Sequence, residues 1–320
     1  MGHSPSRPPP KTDGLGGWEH CSGVVKILLQ REGINPNQAV TKCGTTPLLW
    51  AVEKGHSEVV NILLEREDID PNQADTECGT TPLSLAAVKG HSEVVKMLLE
   101  REDANPDQAD TKSGWTPLLL AAKKGHSEVV KMLLERGDVN PNQADTEYGT
   151  TPLLWAAGKG YSGVVKMLLE REDLNPNQAE AKYGWTPLSR AIWQGNEEVV
   201  KMLLEREDLD PNKEDIKYGW TPLLWAAEKG RSAVVKMLLE REDVNPNRAE
   251  NKYGATPLSW AVFATGQSVR PGAGRRGTAF GGPVRSFSKL TLRPGAKDYK
   301  PRRPLPSSVK HVSCQATRPN

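Results

Sequence analysis

Long apolar runs are missing from this chain of 320 residues: none approaches the roughly eighteen residues that a membrane-crossing helix needs. Residues 1–10 have no apolar core of a secretory signal. The Met1-Gly2-x-x-x-Ser6 pattern meets the loose myristoylation consensus with Pro5 inside it, and reads as chance. Cysteine is scarce: Cys21, Cys43, Cys78 and Cys314 lie far apart, with no C-x-x-C pair and no histidine at zinc spacing. That excludes a disulfide scaffold or zinc module and fits a reducing, intracellular compartment, cytoplasmic or nuclear. No Gly-x-x-x-x-Gly-Lys-Ser/Thr phosphate loop and no Gly-x-Ser-x-Gly elbow occur, so neither nucleotide hydrolysis nor serine hydrolase chemistry is expected.

Charge is present but unevenly placed. Residues 263–320 hold twelve Lys and Arg against one acid, Asp298, a balance of +11; the chain sums to +2, which leaves −9 for the rest. The C-terminal part is rich in Gly, Pro, Ser and Arg and lacks periodicity, so it is expected to be disordered. Arg275-Arg276 and Lys300-Pro301-Arg302-Arg303 offer a basic patch to nucleic acid, though a solvated tail is the plainer reading.

Between the ends one pattern dominates. Thr-Pro-Leu recurs with proline at 47, 82, 117, 152, 187, 222 and 257, always 35 residues apart, and Val-Val pairs follow from Val59-Val60 to Val234-Val235 at constant offset. Each unit reads as two helices. Thr46 is an N-cap, Pro47 suits the first helical position, Gly55 stops the helix, and Ser57 is placed to cap a second one. That second helix carries Val59, Val60, Ile62, Leu63 and Leu64 on a broad apolar face and ends in Glu-Arg-Glu-Asp, read as a solvated face. Asp70-Pro71-Asn72 breaks it, and a polar loop leads to Gly79, whose counterparts from Gly44 to Gly254 mark a turn with positive φ. One such pair cannot bury its apolar face alone; stacked pairs can.

The run Thr-Pro-Leu-x-x-Ala-Ala-x-x-Gly-His-x-x-Val-Val-x-x-Leu-Leu resembles the ankyrin repeat over residues 22–262. The resemblance implies an all-α ankyrin-repeat solenoid whose concave face and loop tips bind other proteins, with no catalysis, no cofactor, no metal and no small-molecule substrate. Three departures stand out. The period is 35 rather than 33, and the histidine that follows Thr-Pro-Leu in the family is Leu49, Ser84, Leu119, Leu154, Ser189, Leu224 and Ser259, so its bonding between units is made otherwise or not at all. The glycine after the second helix survives only as Gly33 and Gly137. Near-identical units with Asn-Pro-Asn loops resemble the long ankyrin arrays of filamentous fungi, which often form the recognition arm of larger nucleotide-binding receptors. The expected organisation is a degenerate or disordered segment over 1–20, an array over 21–262 with six full repeats and a half repeat at each end, and the tail over 263–320. The chain is expected to be monomeric. An origin as a piece of a longer array would account for the unfinished ends.

Decoys can be set aside by position. His56, His91 and His126 give way to Tyr161, Asn196 and Arg231 in later units, so the place is read as a turn and not a metal site. Asp138-x-Asn140-x-Asn142 opens like a calcium loop, but Gln143 and Gly149 stand where glycine and a bidentate glutamate are needed; side-chain turns are expected instead. Candidate anchors come from residues that vary between units: Trp115, Tyr148, Tyr183, Trp185, Trp193, Tyr218, Trp220 and Tyr253, large rigid aromatics around the loop tips. Trp50, Trp155, Trp225 and Trp260 fall where the repeat buries a leucine and are expected in the core. Arg190 occupies the same place in the fifth unit, and marks either a weak point or a specialised surface. The −9 balance of residues 1–262 favours partners of basic or mixed surface.

Overall fold

A computed structural model describes residues 19–39, 43–251 and 253–266; the expectations for 1–18 and for the basic tail from 267 lie outside the described residues. All of these residues belong to one unit, 1–268, and the second unit, 269–320, is not described. Fourteen short helices account for the regular structure among the described residues. They are α1 (Glu19–Leu29), α2 (Pro47–Lys54), α3 (Ser57–Leu64), α4 (Pro82–Lys89), α5 (Ser92–Leu99), α6 (Pro117–Lys124) and α7 (Ser127–Glu135), then α8 (Pro152–Lys159), α9 (Ser162–Leu169), α10 (Pro187–Gln194), α11 (Glu197–Leu204), α12 (Pro222–Glu228), α13 (Ser232–Leu239) and α14 (Pro257–Gly266). Even-numbered helices stack in one row and odd-numbered helices in a second, and each even helix from α2 to α12 pairs with the odd helix that follows it. The result is an all-α solenoid of helix pairs.

Local chemistry explains each boundary. In every pair from α2 to α12 a threonine hydroxyl accepts a hydrogen bond from the N–H three residues on, as Thr46 does from Leu49 at 3.2 Å, and proline takes the first turn. Gly55 ends α2 at φ +68°. Thr265 stands in α14 where glycine stops the earlier helices, and α14 runs on to Gly266, past the Val262 limit read from sequence. The expected cap on the second helix is not made. Ser57 is already helical, and the residue in the cap position is His56, whose side chain makes no cap bond. At the other end, α1 starts at Glu19, ahead of the array limit at 21 read from sequence.

The core lies between the rows. Leu118, Leu153 and Leu188 after the prolines and Leu98, Leu133, Leu168 and Leu203 on the second helices are fully covered, each contributing about 1.5–3 kcal/mol by burial. Paired alanines such as Ala121 and Ala122 allow the even row to pack closely.

Bonding between units replaces the histidine that the resemblance calls for. Arg101 sends its guanidinium to the Leu64 and Arg66 carbonyls of the preceding unit, 3.0 Å each, while Asp103 holds it from below at 2.7 Å. Arg66, Arg136, Arg171, Arg206 and Arg241 repeat the arrangement onto Leu29, Leu99, Leu134, Leu169 and Leu204. These arginines come from the Glu-Arg-Glu-Asp runs, which are therefore not simply a solvated face: the arginine closes carbonyls left open at a neighbouring helix end. A second brace runs through the loops. Asn72 donates from Nδ2 to the Asp103 carbonyl (2.6 Å) and accepts from the Asn105 N–H (2.7 Å), and Asn37, Asn142, Asn177 and Asn212 do the same in their units. The side-chain turns expected here are present too, as in Asn72 N–H to Asp70 Oδ1 at 2.9 Å. The histidine row is a third brace and more than a turn: His126 Nε2 lies 3.2 Å from the Val88 carbonyl, and Asn196 at the same place donates to the Ala157 carbonyl at 2.8 Å. Gly90 at φ +74° leaves room for that ring, since a Cβ there would sit 2.7 Å from His126.

Candidate functional site: an aromatic and lysine row

The loops ahead of α4, α6, α8, α12 and α14 are each held shut by one acid. Asp75 accepts from the N–H groups of Glu77, Cys78 and Thr80, and the loop's backbone bonds back to the preceding unit through Thr76 N–H to the Cys43 carbonyl at 2.8 Å. Asp145 and Asp215 repeat the role, with Tyr148 and Tyr218 N–H groups donating at 2.7 and 2.6 Å. The loop tips are thereby placed in register, one per unit.

Tyr148, Tyr183 and Tyr218 occupy successive tips, each half-buried, and Tyr253 follows at 50% exposure. Lysines fill the intervals. Lys182 Nζ lies 4.8 Å from the Tyr148 ring centre and 5.2 Å from that of Tyr183; Lys217 Nζ lies 5.6 Å from Tyr183 and 4.9 Å from Tyr218. The result is an alternating row Tyr148–Lys182–Tyr183–Lys217–Tyr218, with both ammonium groups exposed. A hydrogen bond to the Glu147 carboxylate raises the Tyr148 hydroxyl above the ordinary tyrosine range.

The tryptophans form a different structure. Trp185 is 1% exposed and Trp220 6%, so the two named from sequence as surface anchors are inside. They belong to a chain of ring contacts: Trp193 to Trp185 (5.3 Å), Trp185 to Trp225 (5.1 Å), Trp225 to Trp220 (4.4 Å), Trp220 to Trp260 (4.8 Å) and Trp260 to Phe263 (5.7 Å). Trp225 is core as expected, its indole N–H donating to Asp215 at 3.0 Å, whereas Trp50, Trp155 and Trp260 are only half-buried. Burial raises the Asp215 carboxyl while the Tyr218 N–H and the Trp225 indole oppose the shift. Trp193 is half-buried under Lys229, whose Nζ lies 3.5 Å from the ring centre. Trp115 and Trp155 clasp Lys123 in the same way, at 3.6 and 4.4 Å, and burial lowers that ammonium to about 8.

Arg190 is thereby explained. It lies over Trp185 at 5.3 Å, its charge acts on the buried carboxyl of Glu180, and Gly158 makes room for its stem, since a Cβ there would meet Arg190 Cγ at 2.9 Å. Sequence reading missed the lysines. The signal was available: Lys-Tyr-Gly recurs at 182–184, 217–219 and 252–254.

Among the described residues no group of three or more His, Cys, Asp or Glu could hold a metal ion, and no helix is long and apolar enough to cross a membrane. A solenoid that sets one variable side-chain row per unit on a fixed frame has the build of a recognition scaffold. The family described as ankyrin repeats (3 copies) matches this chain over residues 16–75, 68–145, 102–180, 138–215 and 207–270, and the chain belongs to that family. It is a protein-interaction module of the ankyrin type. The crystal structure of EF0377, an ankyrin repeat protein, is similar at 27% identity and a TM-score of 0.57, covering 63% of this chain and all of the other. No curated protein matches the chain.

Proposed function

We propose that the module binds an extended segment of a partner protein along the tyrosine–lysine row. The alternation of three half-buried rings with two exposed ammonium groups carries this reading. Rings supply rigid contact area at small entropic cost, and Lys182 and Lys217 select carboxylates at repeat spacing. The −9 balance of residues 1–262 adds attraction for basic groups elsewhere on the partner, so a segment of mixed charge fits best. Trp193 with Lys229 and Trp115 with Lys123 extend the surface, Tyr253 continues it, and Trp185 and Trp220 support it from beneath. We place this recognition role inside the cell, in cytoplasm or nucleus, in keeping with the scattered cysteines, and as part of a long array of the filamentous-fungal kind.

Binding is tested by affinity capture from the source cell's lysate with the whole chain and with Tyr183→Ala/Tyr218→Ala. The expected result is a protein retained by the first and lost by a variant with unchanged helix content. Equal retention would assign binding to another face.

A further inference from the structure

The six complete pairs define what a finished unit covers. The leucine after the opening proline is fully buried at Leu118, Leu153 and Leu188, and the second-helix leucine at Leu98, Leu133 and Leu168. At α14 the equivalent Leu258 is 74% exposed; at α1 the equivalent Leu28 is 52% exposed, with Val24 and Ile27 bare beside it. Among the described residues α14 is a first helix with no second behind it, and α1 is a second helix with no first before it. Among the described residues the two ends show opposite halves of one unit.

Register and hydrogen bonding agree with that complementarity. Pro47 to Val59 is twelve residues, so the repeat pattern calls for a Val-Val pair at 269–270; the sequence there reads Val269-Arg270-Pro271-Gly272 and departs from the pattern. α1 carries the missing pair as Val24-Val25. The arginine brace also stops at both ends. Leu239 stands where Leu204 accepts from Arg241, with no arginine on its carbonyl among the described residues, and Arg31 stands where Arg66 reaches back, with no carbonyl before it among them. Leu239 is itself 50% exposed, where its counterparts Leu99, Leu134, Leu169 and Leu204 are half-buried.

We propose that the two ends are the halves of one joint between copies of this chain: α1 of one copy seats against α13 and α14 of another, completes a helix pair, and places Arg31 on the Leu239 carbonyl. The joint buries Leu28 and Val24 against Leu258 and continues both helix rows without a break in period. It is head-to-tail, so each association leaves one end of each kind open, and growth proceeds as a file or closes as a ring. This departs from the monomer expected from sequence.

The test uses the full chain and two variants at exposed positions, Leu28→Asp and Leu258→Asp, with helix content checked by circular dichroism. Sedimentation velocity of the wild type should show mass rising with concentration, while each variant alone stays monomeric. An equimolar mixture of the two should form a dimer and stop there, because only one intact end of each kind remains. Arg31→Ala, outside any helix, should weaken wild-type association at least several-fold with the fold unchanged. A wild type that is monomeric at every concentration, its ends covered by its own flanking segments or by another protein, would overturn the proposal. So would a mixture that remains monomeric or forms no defined dimer.

Discussion

Asp107 is the one odd member of the asparagine brace. It accepts from the Asn140 N–H at 2.7 Å, as Asn72 does from Asn105, but it has no N–H to give to the next carbonyl, and its Oδ1 is buried without a partner. Burial raises its carboxyl above the ordinary range. A raised acid burdens the fold when ionised, and the burden lifts as falling pH protonates it. Asp107→Asn should therefore stabilise the chain by about 1 kcal/mol at neutral pH, with a gain that shrinks in acid, measured by denaturant unfolding. Lys123 has the opposite sign. Its ammonium, lowered to about 8 from 10.5, is disfavoured by the fold below pH 8, and that disadvantage lifts as pH rises from 8 to 10.5. The Trp115 and Trp155 rings attract the cation and offset part of the loss. An NMR titration of the Lys123 side chain should show a midpoint near 8; one in the ordinary lysine range would remove the burial account. Neither behaviour was legible in sequence, because each depends on a residue in another unit.

The helices, and both ends of the first helices from α2 to α10, were legible, because Thr-Pro-Leu, Gly55 and the valine pairs state local geometry directly. The braces between units were not. Arg136 recurs at 35-residue spacing like its neighbours, yet a charge near a helix end reads as solvated until the facing carbonyl is seen 3.0 Å away. The histidine row misled for the same reason: His126, Tyr161, Asn196 and Arg231 differ in chemistry but all pack against a positive-φ glycine one unit back. Tryptophan burial could not be ranked from sequence, since Trp185 and Trp155 both look like large apolar residues and only ring neighbours separate them. Replacing Arg136 by alanine leaves the Leu99 carbonyl without its donor and should cost about 1.5 kcal/mol, read as a lower denaturation midpoint. An unchanged midpoint would mean that water satisfies that carbonyl equally well.

Across the whole array, stability should follow nearest-neighbour coupling. Central helices α6 to α10 are braced on both sides, while α1 and α14 each have one neighbour in their row. Hydrogen exchange on dilute protein should protect the centre most and α1 and α14 least, with protection at the ends rising with concentration if copies join. The concave binding face named from sequence was a property of the family resemblance; the particular row of tyrosines and lysines emerges only when consecutive loops are superposed in register. The most direct test of that row is a hydrogen-exchange footprint of the captured partner on the chain. Added protection should fall on the loops carrying Tyr148, Tyr183 and Tyr218, with α5, α7, α9 and α11 unchanged. Protection confined to those second helices, with the loops unaltered, would contradict an interface built on the tyrosine–lysine row.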